Sequence, residues 1–325
     1  MKVSLATKPQ ERAAIILAGG EGTRLRALTR KIAGVEVPKQ FCPVIGQTTL
    51  LQQTFERTSL SVAPERILTV VTRAHEPFYR HVLADYPEKI WVVQPESRGT
   101  GAAILYGLLR LCKLRPNLAV AVLPSDHFVS DNSEFMRRVD LAFDAIRDNP
   151  DAIVILGVRP VSGETGYGWI EPGERLGVLA GDLLRVRRFW EKPPAALAQD
   201  LMLRGCLWNS FVMVANRSGL LRLYSTILPR VFARFLRVLP ELGTRFEELE
   251  IERLYWRLAP IDFSRDLLAR NPASLAVLPI DGVQWSDLGE PERVMDVLAL
   301  LGKLDARSME SCCGDPEPDE QELPK

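Results

Sequence analysis

Ala13-Ala14-Ile15-Ile16-Leu17-Ala18-Gly19-Gly20-Glu21-Gly22-Thr23-Arg24-Leu25 is the stretch that decides the fold. Its first six residues are apolar without alternation, which suits a strand buried on both faces of a sheet. Gly19, Gly20 and Gly22 then break the run and lead into a helical pattern. A glycine-rich strand-to-helix turn lets backbone N–H groups approach a phosphate chain closely, and the helix N-terminus adds a favourable dipole. Arg24 is placed to clamp phosphate oxygens bidentately. The stretch lacks the Gly-Lys-Ser/Thr ending of a Walker A loop and the spacing of a dinucleotide fingerprint. Taken alone it is equally a plain turn with a surface arginine.

The same alternation continues outward. Apolar runs at Ile67–Thr72, Ile90–Val93, Leu118–Leu123, Ala152–Val158, Leu184–Trp190 and Leu207–Ala215 read as strands. Amphipathic segments lie between them, and Phe135, Val139, Ala142, Phe143 and Ile146 share one helical face. Alternating β and α elements predict a doubly wound, mostly parallel α/β sheet of Rossmann-like type. After Ala215 a long 3.6-residue period over Ser218–Leu239 predicts helix, interrupted at Pro229. A late strand, Leu275–Ile280, and a helix near Glu290–Leu301 close the pattern. Residues 304–325 are acidic, contain proline and are poor in apolar residues, so they read as a disordered tail.

Bulk composition excludes several function classes. Among 325 residues, 41 Lys+Arg balance 41 Asp+Glu, with no basic block, so nothing supports binding to nucleic acid. No apolar stretch approaches the roughly 20 residues that span a bilayer. Residues 1–14 lack the pattern of a signal peptide. Five scattered cysteines show no paired metal-ligand spacing and point to a reducing, cytoplasmic compartment. Cys312 and Cys313 are adjacent, which suits neither an easy disulfide nor a zinc site.

Further residues gain meaning together. Lys39, in Pro38-Lys39-Gln40-Phe41, is placed to fold over phosphates as a point charge, although alone it is more often a surface lysine. Asp126 ends the fourth predicted strand, where a helix-capping or turn role is the commoner alternative. Glu191-Lys192 is, alone, a solvated charge pair. His127, beside Asp126, reads as structural, because a hard cation prefers oxygen ligands.

These segments resemble the sugar-phosphate nucleotidyltransferases, and specifically their mannose-1-phosphate guanylyltransferase branch. The resemblance begins with Gly19 to Arg24 and Pro38-Lys39-Gln40-Phe41. It runs in order through Gln94-Pro95-Glu96-Ser97-Arg98-Gly99-Thr100-Gly101-Ala102, Leu123-Pro124-Ser125-Asp126-His127 and Tyr167-Gly168-Trp169-Ile170. Phe189-Trp190-Glu191-Lys192-Pro193, Trp208-Asn209-Ser210 and Trp285-Ser286-Asp287-Leu288-Gly289 complete it, so it covers nearly the whole chain. One such motif is weak; this collinear set is highly specific.

The resemblance implies that residues 12–303 form a nucleotidyltransferase domain, with a nucleotide-binding part over about 12–150 and a sugar-phosphate part over about 151–303. It implies catalytic roles for Arg24, Lys39, Asp126, Lys192 and Asp287, with Mg²⁺ held by Asp126 and Asp287. Nucleotide contacts fall to Leu17, Ala18, Gly19, Gly20, Gly22, Thr23, Gln94, Gly99 and Thr100. Gln94 stands where many relatives carry Glu, and its amide can supply either partner type to a base. Sugar contacts fall to Gly168, Glu191 and Asn209. The implied reaction joins a nucleoside triphosphate, GTP foremost, to a sugar 1-phosphate, mannose 1-phosphate foremost, with release of pyrophosphate. A heptose or other hexose phosphate would use similar contacts. A chain of this length leaves no room for an appended isomerase domain, and a homo-oligomer stays open. Two other classes remain at this point. A glycosyltransferase that consumes an NDP-sugar typically carries an Asp-x-Asp metal motif, whereas Asp126 is followed by His127 and Phe128. A non-catalytic nucleotide sensor would not need Arg24, Lys39, Asp126, Lys192 and Asp287 together.

Overall fold

The computed structural model describes residues 11–84, 90–114, 118–176 and 182–302. The tail expected over 304–325, with Cys312 and Cys313, lies outside the described residues. The described residues form the strands β1 (Glu11–Leu17), β2 (Ile67–Thr72), β3 (Trp91–Gln94), β4 (Leu118–Pro124), β5 (Phe128–Val129) and β6 (Ile153–Val158), then β7 (Gly168–Arg175), β8 (Leu184–Glu191), β9 (Leu207–Asn216), β10 (Leu275–Ile280) and β11 (Trp285–Ser286). All but β5 and β11 join one sheet in the order β3-β2-β1-β4-β9-β6-β10-β8-β7. β5 and β11 pair separately and antiparallel.

The first half of the sheet is parallel: β2 and β4 both flank β1 in parallel, and β3 extends β2. The later strands make the sheet mixed. β9 inserts antiparallel between β4 and β6, while β10 pairs parallel with β6 and antiparallel with β8. β1 accounts for why its residues need not alternate. Ala14 and Ile16 pack into one hydrophobic layer, and Ala13 and Ile15 into the layer on the opposite face. Helices cover both faces, so the apolar side chains of the strand are buried on either side.

The helix Asn132–Asp148 buries Phe135, Val139, Ala142, Phe143 and Ile146, the face read from its period, and Asp131 caps it by accepting from Glu134 N at 2.9 Å. The break at Pro229 is real. One helix ends at Ile227 and another begins at Pro229, where a missing N–H leaves no hydrogen bond broken. β7 is a strand that periodicity does not reveal. Pro172 interrupts it, and its register against β8 shifts on both sides of that residue.

The chain leaves β1 toward β2 on one side and reaches β4 on the other. This reversal is a topological switch point, where the loops at the carboxyl ends of the strands open a crevice. β1, β3 and β4 end there, at Leu17, Gln94 and Pro124.

Candidate active site

At this crevice lies a cavity of about 340 Å³. One wall is the turn after β1. Its shape is held by side chains rather than by the helix that follows, since a 3₁₀ turn, Thr23–Leu25, separates the glycines from the helix Arg26–Ala33. Buried Gln40 donates to Ala18 O at 3.0 Å and to Gly20 O at 2.8 Å, and Thr72 donates to Gly19 O at 3.1 Å. A Cβ on Gly19 would lie 2.8 Å from both Gln94 Nε2 and Thr72 Oγ1, so a side chain there would force these two to shift. Gly22 takes φ +60° and packs on the Lys39 backbone.

Leu17, Gly19, Gly20 and Arg24 line the cavity, as do Gln94, Gly99 and Thr100. Ala18 sits beneath it through its carbonyl, and Gly22 and Thr23 lie outside the lining. Arg24 is solvent-exposed and ion-paired with Glu290. The side chain of Thr100 also accepts from Phe263 N at 3.0 Å, which fastens the loop before β10 to the helix Gly99–Leu114. Gly99, at φ +80°, lets that loop come close, because a Cβ there would collide with the Ile261 carbonyl.

The second wall is a charged cluster. Lys39 Nζ donates to the backbone carbonyls of Asp287 at 2.6 Å and Leu288 at 3.0 Å, and lies 3.2 Å from Asp126 Oδ2. One cation thus ties together the two aspartates singled out in the sequence. Asp287 Oδ1 accepts from Arg293 at 2.6 Å, Gly289 N at 2.9 Å and Tyr167 at 3.2 Å. Burial alone would push the Asp287 carboxyl up, but His127, charged in the acid range where this carboxyl titrates, together with Arg293 and Lys39 holds it below its ordinary value. Burial lowers His127 to about 4, so it is neutral at pH 7. Its Nδ1 accepts from Trp285 Nε1 at 3.3 Å, which leaves the proton on Nε2, 3.8 Å from Asp126 Oδ1. That is a supporting role, in keeping with the structural reading of this histidine.

The third wall carries the residues expected at the sugar. Gly168 on β7 pairs opposite Glu191 on β8, and a Cβ there would lie 2.9 Å from Glu191 Oε2. Burial, with help from nearby Asp262, pushes the Glu191 carboxyl up to about 7, and its Oε2 is buried without a partner among the described residues. Lys192 Nζ lies 3.9 Å from Glu191 Oε1 and is otherwise free to reach into solvent. Asn209 accepts from Phe211 N at 3.0 Å. Of the non-glycine residues with positive φ among those described, Lys192 and Phe211 line this cleft, and Leu288 lies behind it, its carbonyl accepting from Lys39. Backbone strain of this kind persists where the surrounding structure holds a functional geometry.

The sequence does not show Gln40 as a tether, the side chain of Tyr167 as a partner of Asp287, or Asp262, Ser264 and Arg293 as site residues. Tyr167 and Gln40 stood inside quoted motifs. Ser264 begins a π-helical turn, with Asp262 just before it and no periodicity to read, and Arg293 lies on a helix whose pattern gives only packing.

A model of the family described as nucleotidyl transferase matches residues 13–303. The chain belongs to this family. It is 31% identical over 291 residues to the xanthan biosynthesis protein XanB of Xanthomonas campestris pv. campestris, covering 87% of this chain and 58% of that protein. It is 26% identical over 294 residues to the mannose-1-phosphate guanylyltransferase RfbM of Salmonella typhimurium, at the same coverages. The chain therefore spans about three-fifths of the length of these relatives. A crystal structure described as a mannose-1-phosphate geranyltransferase from Thermus thermophilus superposes with a TM-score of 0.73 at 30% identity, covering 86% of this chain and 76% of that one. The fold and the family read from the sequence are thus those of the nucleotidyl transferases. No helix among the described residues is long and apolar enough to cross a membrane.

Proposed function

We propose that the protein transfers a nucleotidyl group, GMP from GTP, to a sugar 1-phosphate, mannose 1-phosphate, giving an NDP-sugar and pyrophosphate. The observation that carries this is the arrangement of three walls around one cavity: a glycine turn, the Asp126 and Asp287 pair with Lys39 bonded to both from outside the lining, and a Glu191–Lys192–Asn209 wall. Residues 12–150 supply the first and residues 151–303 the third, which suits a nucleotide half and a sugar-phosphate half of one domain.

In this reading a sugar-phosphate oxygen attacks the α-phosphorus. A new P–O bond forms, the α–β bridging bond breaks, and pyrophosphate leaves with the electron pair. A phosphate monoester has its second pKa near ~6, so the nucleophile is already anionic and needs no general base. Neutral His127 is therefore not required as one. Catalysis reduces to positioning and charge neutralisation. Lys192 aims the sugar phosphate and Glu191 accepts from sugar hydroxyls. Arg24 and Lys39 hold the triphosphate and stabilise the departing pyrophosphate. Gly19 and Gly20 leave room for the phosphate chain along the turn.

The residues present fit Mg²⁺. The Asp126 and Asp287 residues both line the cavity, and Mg²⁺ is typically held by one or two carboxylates with phosphate oxygens completing the shell. When bound there it would neutralise charge on the phosphates.

A panel of four nucleoside triphosphates against mannose, glucose and heptose 1-phosphates, read by pyrophosphate release, tests the reading. GTP with mannose 1-phosphate should give the highest kcat/KM. Turnover with none of the pairs would remove the proposal.

A further inference from the structure

Tyr255 lies on the helix Glu247–Trp256, far from every motif of the sequence, and is fully buried. Its ring packs edge-on against Tyr106 and Phe235, with centroids 6.3 Å away in each case. Its hydroxyl crosses to the end of β3 and meets Gln94 Oε1 at 3.0 Å. Among the described residues, the hydroxyl hydrogen has no other acceptor.

This single contact fixes the Gln94 amide. A phenol hydroxyl can donate or accept, and an amide can be turned so that either O or NH₂ faces it. With NH₂ toward the tyrosine, the phenol would accept and its own hydrogen would be stranded in an aromatic pocket. A buried donor without a partner disfavours that orientation by about tenfold or more. The hydroxyl therefore donates to Oε1, and Nε2 is turned the other way. The positions agree: Nε2 lies against Gly19 on the cavity wall, and Gln94, although only 2% exposed, is among the residues that line the cavity.

We propose that Tyr255 is a positioning residue for base selection. By holding Gln94 Oε1 it presents two N–H donors to the cavity, and so favours a nucleobase with a carbonyl at that edge over one with an amino group. Guanine, hypoxanthine, uracil and thymine offer such a carbonyl; adenine and cytosine place N–H donors there, facing the N–H donors of the amide. The inference rests on the proposed nucleotide site, but not on which keto base is used or on turnover. It also gives the Gln94 amide a defined polarity instead of a choice of two.

The test compares bases that differ in this one group. ITP against ATP and UTP against CTP are titrated calorimetrically into the full chain and into Tyr255→Phe, with Mg²⁺ present. The unaltered protein should bind the keto member of at least one pair about tenfold or more tightly. Tyr255→Phe keeps the ring but frees the amide to turn, so the keto/amino ratio should fall by about tenfold, while the KM for sugar 1-phosphate stays within about twofold. A merely structural role for Tyr255 would weaken all nucleotides alike and leave the ratio intact, which would overturn the proposal. So would a native protein with no keto preference, a result that needs no variant to fold. Loss of turnover with every substrate, with the keto preference kept in binding, would sink the reaction proposed above and spare this inference. Binding of no nucleotide would sink both.

Discussion

Replacing Glu191 by Gln changes one atom and removes one buried charge, and its effect can be worked from the structure. Burial lifts this carboxyl from an ordinary value of 4.5 to about 7. The folded state therefore holds the proton more tightly than the unfolded chain does. The corresponding stability is fully present below pH 4.5, falls as pH rises through 7, and is gone above it. The shift corresponds to up to about 3 kcal/mol. Glutamine has no such dependence. The difference in melting temperature between Glu191→Gln and the unaltered protein should therefore grow in favour of the variant between pH 5 and pH 8. For a domain of this size that is roughly 5–10 °C. Differential scanning calorimetry at the two pH values measures it, and any constant effect of the substitution cancels in the comparison. A difference in melting temperature that does not move with pH would refute the buried, uncompensated carboxylate.

Other substitutions separate the walls of the site. Lys192→Ala should raise the KM for sugar 1-phosphate by about ten- to a hundredfold and leave nucleotide affinity nearly unchanged, whereas Lys39→Ala should weaken nucleotide binding and lower kcat. Steady-state kinetics in each substrate, with calorimetric nucleotide titration, distinguishes them; loss of nucleotide affinity in Lys192→Ala with an unchanged sugar-phosphate KM would reverse the assignment. Asp126→Ala should lower kcat on the order of a hundredfold or more in Mg²⁺ with little change in melting temperature, and near-native turnover would remove it from the site. Gly99→Ala should destabilise the fold by about 1–3 kcal/mol, seen in urea unfolding, because a Cβ meets the Ile261 carbonyl and the backbone is left-handed.

What the sequence makes legible follows from where the chemistry sits. Gly19, Gln94, Asp126 and Glu191 stand at or just past the ends of apolar runs, so reading the strands also locates these residues at one edge of a sheet. Asp287 is found the same way, although it follows the short β11 rather than β10 directly. The parallel half of the sheet is likewise visible, because strands buried on both faces show unbroken apolar runs. The place of β9 between β4 and β6 is not, since strand order is decided by long-range pairing that no local pattern encodes. Gln40, Arg293 and Tyr255 escape for a related reason. Each acts through a contact with a distant segment: Gln40 on the glycine turn, Arg293 on Asp287, Tyr255 on Gln94. Their own neighbourhoods read as ordinary loop and helix. Lys39 is intermediate: its motif flags it, but only the fold shows its ammonium drawn against both aspartates.

The central claim is attack by a sugar-phosphate oxygen on phosphorus, and the fate of labelled oxygen tests it most directly. A sugar 1-phosphate carrying ¹⁸O in its non-bridging phosphate oxygens is incubated with GTP, Mg²⁺ and the enzyme, and the products are weighed by mass spectrometry. NDP-sugar and pyrophosphate should appear in equal amounts, with all of the label in the NDP-sugar and none in pyrophosphate. Label released as inorganic phosphate, from cleavage at the sugar carbon, would contradict it.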